Sequence, residues 1–326
     1  DTDEIADNAV TLAKMAGGTD GNIISYDASG DPVAIATGTD GQVLTSTGAG
    51  SPPAFETSPS GVTILGGLTD VSMDITNFAD SLLIQPDSDG SAPTTGTLST
   101  ATGNTGIGKG VFAALTSGTY NVALGYQALD TNTTASYNVG IGKSALSANT
   151  TGAGNVAIGN EALKAQTTSG DNVAIGSSAL LTNVTGGGLV AVGAGALKLN
   201  TGSANTAVGN TCLRYLTSGD NNTAVGYRSQ MNTTTADGNT SIGFQSLDAN
   251  TTGADNTAVG RGALGSNTTG ATNTAVGRDA LYTNTTGHYN TGLGQGALYY
   301  NNADHNVSVG YESMNANTTG TRNTAV

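Results

Sequence analysis

Tryptophan is absent from this 326-residue chain, cysteine occurs once, proline six times, and Lys and Arg together only 10 times. Each shortage excludes something. Cys212 has no second thiol to pair with, so no intrachain disulfide holds the fold. It fills a repeat position otherwise given mostly to Ala or Ser, and reads as a small buried residue rather than a reactive thiol. Basic residues are outnumbered by 24 acidic ones, for a formal net charge of −14. Without clustered cations to neutralise phosphate, nucleic acid is not an expected partner. No apolar run approaches the roughly 20 residues that cross a bilayer, and no membrane insertion is expected. No signal peptide is recognisable; the chain opens without Met and stops inside a repeat, so both ends are expected to be processing limits. Charged residues make up 10% of the chain and aromatics 5%, against about a quarter charged in ordinary domains. Such poverty can signal disorder, but Val, Ile and Leu return at fixed intervals, which a disordered chain does not need.

What is present is a repeat. Units begin at Asn104, Asn121, Asn138, Asn155, Asn172, Leu189, Asn205, Asn222, Asn239, Asn256, Asn273, Asn290 and Asn306, with a stub at Asn323. Eleven of the thirteen full units have seventeen residues; those at Leu189 and Asn290 have sixteen. Position one is Asn in all but one unit, position four is aliphatic throughout, and position five is Gly in every full unit. Positions eight and nine are usually a small residue and Leu, as in Ala128-Leu129, with exceptions such as Ser229-Gln230 and Ser313-Met314. Several units then carry Asn-Thr-Thr-Gly, as at 149–152 and 267–270.

Asn, Thr and β-branched residues around a four-residue run predict a short strand. Gly after it implies a positive φ or a backbone approach too close for a Cβ. Asn-Thr-Thr-Gly supplies a turn, and Gly every seventeen residues would interrupt a helix. The expected fold is therefore all-β: a parallel β-solenoid of about seventeen residues per coil, thirteen coils plus a stub over residues 104–326. Its expected ladder repeats Asn121, Gly125 and Leu129, or Asn256, Gly260 and Leu264. Asn amides bond one coil to the next, and Leu at position nine fills the interior beside the aliphatic of position four. So thin an interior buries little apolar surface, so the coils are expected to associate as a homotrimer with an Ala or Val face toward the axis. At about 4.8 Å per strand, thirteen coils make a rod on the order of 60 Å long.

The Asn-x-Ala-Val/Ile-Gly-x-x-Ala-Leu core resembles the coils of trimeric autotransporter adhesin heads. The longer form, with Asn-Thr-Thr-Gly between cores, resembles repeats in tail-fibre proteins of marine phages, cyanophages especially. The resemblance covers about 220 residues. It implies a left-handed β-roll, trimeric assembly, and a structural or adhesive role. The first choice is a virion fibre contacting other tail or baseplate proteins and a host cell-surface glycan; a bacterial surface adhesin is the runner-up.

The N-terminal third divides into residues 1–17, 18–57 and 58–103. Residues 18–37 align without gaps to 38–57, and each unit reads as a β-hairpin with an apolar pair (Ile23-Ile24, Val43-Leu44) and Pro32 or Pro52 in register. Asn8 to Ala16 is a short helix candidate, marginal alone. A helix followed by Gly-Thr-Asp-Gly hairpins resembles the shaft of phage tail fibres, which turns the reading from adhesin toward phage. Residues 58–103 read as a β-rich connector.

No catalytic constellation is recognisable, no cofactor is implied, and an enzyme is not expected. Gly106-Ile-Gly108 and Gly292-Leu-Gly294 lack the context of a nucleotide-binding loop. His288 and His305, seventeen residues apart, could stack on successive coils, but only Asp304 is near enough to make a third metal ligand. Asn-Thr-Thr is formally a glycosylation sequon, though a turn needs no such role. Thr-rich solenoids also suggest ice binding, but Thr133 and Thr134 are adjacent and point to opposite faces of any strand. Columns of planar rings suit sugar stacking: Tyr126, Tyr227, Phe244 and Tyr311 share position six, and Tyr282, Tyr299 and Tyr300 fall at positions ten and eleven. The alternative is that these rings shield the coil edge or pack between subunits.

Overall fold

The computed structural model describes residues 23–26, 32–35, 42–45, 54–57, 71–75, 77–85 and 95–326. The chain divides into two units, Asp1–Leu68 and Thr69–Val326. In the first, β1 (Ile23–Tyr26) pairs antiparallel with β2 (Pro32–Ile35), and β3 (Gln42–Thr45) with β4 (Ala54–Thr57). Pro32 heads its strand opposite Tyr26, at an end where a missing N–H is tolerated. The helix candidate at Asn8–Ala16 and Pro52 lie outside the described residues.

The second unit is a parallel β-solenoid. It starts upstream of the repeats, because part of the connector joins its sheet. β5 (Val71–Ile75) runs antiparallel to β6 (Phe78–Ile84), and β6 pairs parallel with both β7 (Ala101–Thr102) and β8 (Thr105–Ile107). Phe78 and Leu83 from β6 and Phe112 from the first coil are fully buried together. They close the first coil, whose end would otherwise expose the core.

From β8 to β21 (Thr324–Ala325) each coil gives one short strand at positions two to four, paired in register with the next. Val139, Gly140 and Ile141 lie against Val156, Ala157 and Ile158. The rest of each coil is turns that still bond from coil to coil. Leu129 N–H donates to Ala145 O at 3.0 Å and Thr133 N–H to Thr150 O at 3.1 Å. Positions seven, nine and seventeen take left-handed φ, for example Gln127 at 53°, Leu129 at 52° and Tyr137 at 62°. An L-residue there costs on the order of 1 kcal/mol. The conformation persists because it aims each of these N–H groups at a carbonyl one coil away: Gln127 N–H donates to Lys109 O at 2.9 Å and Tyr137 N–H to Thr119 O at 3.0 Å.

The interior corrects one expectation. The position-four aliphatics do not fill it: Leu124 and Ile242 are 44% exposed and Val276 40%. Position three faces inward instead, with Ala123, Ala157, Ala174 and Ala258 buried. Alternate residues of a strand face opposite sides, so the larger neighbours of an inward Ala must face out. Size decides which parity is chosen. The position-nine Leu already spans the coil: a Cβ added at Gly140 would lie 3.2 Å from Leu129 Cγ. Ala at positions three and eight is therefore enclosed, and no Ala face exists for a partner.

Two amide columns share this interior with Ala and Leu. Asn121 N–H donates to Asn104 Oδ1 at 2.9 Å, its Nδ2 to the same oxygen at 3.0 Å and to Ala135 O at 2.9 Å. The pattern recurs at Asn256, whose N–H reaches Asn239 Oδ1 at 2.9 Å and whose Nδ2 reaches Gly270 O at 2.9 Å. The first Asn of Asn-Thr-Thr-Gly is also buried: Asn149 Nδ2 and Asn267 Nδ2 each hold the turn's Gly carbonyl at 2.9 Å. The Leu189 backbone N–H donates to Asn172 Oδ1 at 2.9 Å, but Leu189 has no side-chain amide to continue the column, which restarts at Asn205.

The sixteen-residue coils lose their residue in that same turn. Asn200 Nδ2 reaches Gly202 O two residues on, and Asn301 Nδ2 reaches Ala303 O, where other coils span three. Strand register passes through undisturbed, with Val190 opposite Thr206 and Thr291 opposite Val307. A sharper irregularity sits at Gln230, buried at position nine. Its Nε2 donates to Ser241 Oγ at 2.9 Å and Thr223 O at 3.2 Å, while its Oε1 has no partner. Ser229 Oγ bonds both Ser241 Oγ and Ser246 Oγ beside it. The apolar core is divided at this polar layer, one part ending at Ala224 and the next beginning at Leu247.

Candidate functional site

Strand parity leaves positions two and four pointing outward along the whole sheet. Position four is Val, Ile or Leu in every coil. Position two is Val from Val122 to Val190, then Thr from Thr206 through Thr291. Fourteen rungs at about 4.8 Å, with two columns about 7 Å apart, make a stripe of roughly 450 Å². That is the size of the largest patch single chains usually leave open to solvent, a kind of patch that is often functional.

The stacked rings of the coils form four separate groups. At position six, Tyr227 stacks on Phe244 with centroids 5.5 Å apart, while Tyr126 and Tyr311 stand 47% and 70% exposed. At position ten, Tyr282 and Tyr299 stack at 5.3 Å, and Tyr300 meets Tyr299 edge-on at 4.6 Å. Two further groups escaped the sequence reading: Tyr120 stacks on Tyr137 at 5.4 Å, and Tyr289 on His305 at 4.9 Å. All belong to position seventeen. The signal was the recurrence of a ring there in successive units, hidden because Gly, Asp and Asn hold the same position elsewhere.

That last pair corrects the histidine expectation. The coil from Asn290 is one residue short, so His305 falls in Tyr289's column and Asp304 in that of His288. Asp304 Oδ1 accepts the His288 backbone N–H at 2.7 Å, and His288 Nδ1 accepts the Ala271 N–H at 3.1 Å. Among the described residues no group of three His, Cys, Asp or Glu could hold a metal ion. Cys212 is fully buried at position eight with Sγ 3.2 Å from Ala224 O, and burial pushes its thiol pKa up to about 12. Among the described residues, no helix is long and apolar enough to cross a membrane.

Two surface hollows lie at positions six, seven and ten near the C-terminal end. They measure about 290 and 280 Å³ and flank Asp279, with Tyr299 lining both. Arg278 Nε stands 3.4 Å from Asp279 Oδ2. Just beyond, Arg228 Nη2 bonds Asp248 Oδ2 at 3.0 Å. Burial raises the Asp248 pKa above the usual carboxylate value, with the Arg228 charge pulling against it. The Tyr299 phenol is pushed up as well, by burial first and then by Tyr300, Tyr282 and Asp279. Carboxylates, guanidinium groups and phenols here face solvent together, which suits binding. No protein-family model matches the chain, and no curated protein and no solved structure is similar to it.

Proposed function

We propose that the chain is a length of a trimeric, structural or adhesive fibre of a virion, a phage tail fibre or similar appendage that spaces or presents a host-binding surface. The observation that carries this is the outward apolar stripe of positions two and four. A continuous Val, Ile and Leu column at position four, flanked by Val or Thr at position two, is costly to leave in water on a rigid solenoid, and a second and third copy would cover it. About 450 Å² per chain is over half of the 800 Å² or so that each partner buries in a stable complex. Light scattering of the whole chain should give three times 32.0 kDa; a monomer mass sinks the trimer. Antibody against the chain should decorate the tails of phage particles. Label on a bacterial cell surface instead would turn the reading to an adhesin.

One observation favours a second reading on the same face. Six consecutive rungs, Thr206 to Thr291, place Thr beside an outward Val, Ile or Leu in a flat array, a surface suited to ordering water and hence to ice. The two readings compete for one face. A monomer that inhibits ice recrystallisation would favour the second, and a trimer without that activity the first.

A further inference from the structure

The corner of the solenoid formed by positions six, seven and ten differs from the apolar stripe. Over five successive coils, position seven alternates between a side chain and none: Gln245, Gly262, Asp279, Gly296, Glu312. The gaps at Gly262 and Gly296 open the hollows of about 280 and 290 Å³ on either side of Asp279. Glycine also shapes the floor. A Cβ added at Gly265 would lie 2.8 Å from the Tyr282 ring, so that ring leans over a residue with no side chain. Tyr299 stacks on Tyr282 with an interplanar angle of 20°, so each ring keeps one face for a ligand, one per hollow.

The polar groups around these rings are mixed in sign. Asp248 and Arg261 border the first hollow, Arg278 and Glu312 the second, and Asp279 stands between them. A polyanion would meet Asp248, Asp279 and Glu312; a polycation would meet both arginines. A purely apolar ligand would strand all five charges. A pyranose sugar suits every group: its hydroxyls donate to carboxylates and accept from guanidinium, and its C–H face lies on an aromatic ring. The Tyr299 phenol keeps its proton and can donate too. Sites of this size fall at the lower end for small ligands, close to one sugar unit each. Two coils separate the hollows by about 9.6 Å, which asks for a chain of sugars.

We propose that this groove binds an uncharged oligosaccharide, with Tyr282 and Tyr299 as the stacking platform and Asp279 the shared acceptor between two sugar positions. This deepens the adhesive half of the fibre reading and rests on it. Mass measurement tests the fibre and sugar titration tests the groove, so either can fail alone.

The test is calorimetric titration of the whole chain with maltohexaose, cellohexaose and chitohexaose, with a heparin hexasaccharide as charged comparator. At least one neutral hexasaccharide is expected to bind in the millimolar range or tighter, and heparin not to. Asp279→Asn and Tyr299→Ala should each weaken binding about tenfold, while Tyr137→Ala, on a different column, should not. Asp279→Asn preserves volume at a partly exposed position, so it reports even if Tyr299→Ala unfolds, which far-UV circular dichroism would show. Failure of all three neutral sugars to bind overturns the proposal. So does tighter binding of heparin, or sugar binding that Asp279→Asn leaves unchanged.

Discussion

Replacing Gly159 by Ala should damage the solenoid far more than replacing Gly195, although both glycines have positive φ and lie two coils apart. Gly159, at position five, has φ 137°. A Cβ there would sit 2.6 Å from both C and O of Gly176 and 3.0 Å from Ser177 N, all backbone of the next coil. No rotamer can relieve that contact, so the two coils must part. Holding Ala in a region reserved for Gly costs on the order of 1–3 kcal/mol, and overpacking against an immovable neighbour about 1–3 more. The sum is about 4 kcal/mol. Gly195, at position seven, has φ 66°, and its nearest foreign atom is Thr211 Cγ2 at 3.9 Å. Other coils place Gln127, Glu161 or Ser178 at this position with φ from 53° to 58°. Gly195→Ala should therefore cost only about 1 kcal/mol. Urea melts of the whole chain followed by far-UV circular dichroism would measure both. Because coils contact only their neighbours, the Gly159 break should also speed hydrogen exchange at Val156–Ile158 and Val173–Ile175 before distant coils respond. Equal losses in the two variants would refute the close-approach argument and leave φ as the whole cause.

Three other perturbations bear on the interior. Gln230→Leu combined with Ser241→Ala restores the Leu and Ala of other coils and removes the unpartnered Gln230 Oε1; it should stabilise by about 1–3 kcal/mol, and a lower urea midpoint would refute the idea that this polar layer is a weak point. Asn138→Ala strands the Asn155 N–H, while the Gly152 carbonyl keeps its bond from Asn149 Nδ2; it should cost about 1–3 kcal/mol, and a loss near zero would mean the column adds nothing. Burial raises the Asp130 pKa above 3.8, outweighing the backbone donors that lower it, so its ionisation is disfavoured in the folded state. That penalty is absent below about pH 3.8 and grows as pH rises through the raised value. Asp130→Asn should therefore melt higher than the parent at pH 7 and lose the advantage as pH falls through that window; a variant that melts lower at pH 7 would contradict the burial.

The period, the coil length and the position-five Gly were legible because each rests on residue type at fixed spacing. The side of the strand that faces inward was not, because hydrophobicity pointed to the wrong one. In Val-Ala-Ile the two large residues invite burial. The discriminating signal was size. Position three holds only Gly, Ala or Ser from Gly106 to Ala325, while position four ranges freely over Val, Ile and Leu. Only a position hemmed in by backbone and by a large opposite residue is held so small. The pairing supports this: Gly106 lies opposite Phe112, the one Phe at position nine, and a Cβ there would come 2.8 Å from both Leu83 and the Phe112 ring.

The same misjudged parity hid the candidate surface. With position four assigned to the interior, the outside of the sheet looked like Ala and offered only flatness. Turned over, it is a Val, Ile and Thr stripe, the surface on which the proposed assembly or ordering of water would rest. The groove over Asp279 was hidden for a different reason. Its hollows come from glycines at position seven in alternate coils, and within any single unit Gly262 or Gly296 is one more glycine among 49. Only stacking five coils shows that the missing side chains lie in a row beside Tyr282 and Tyr299. In a solenoid the repeat unit encodes the scaffold, and whatever the scaffold binds is written in the differences between neighbouring units, read along the stack.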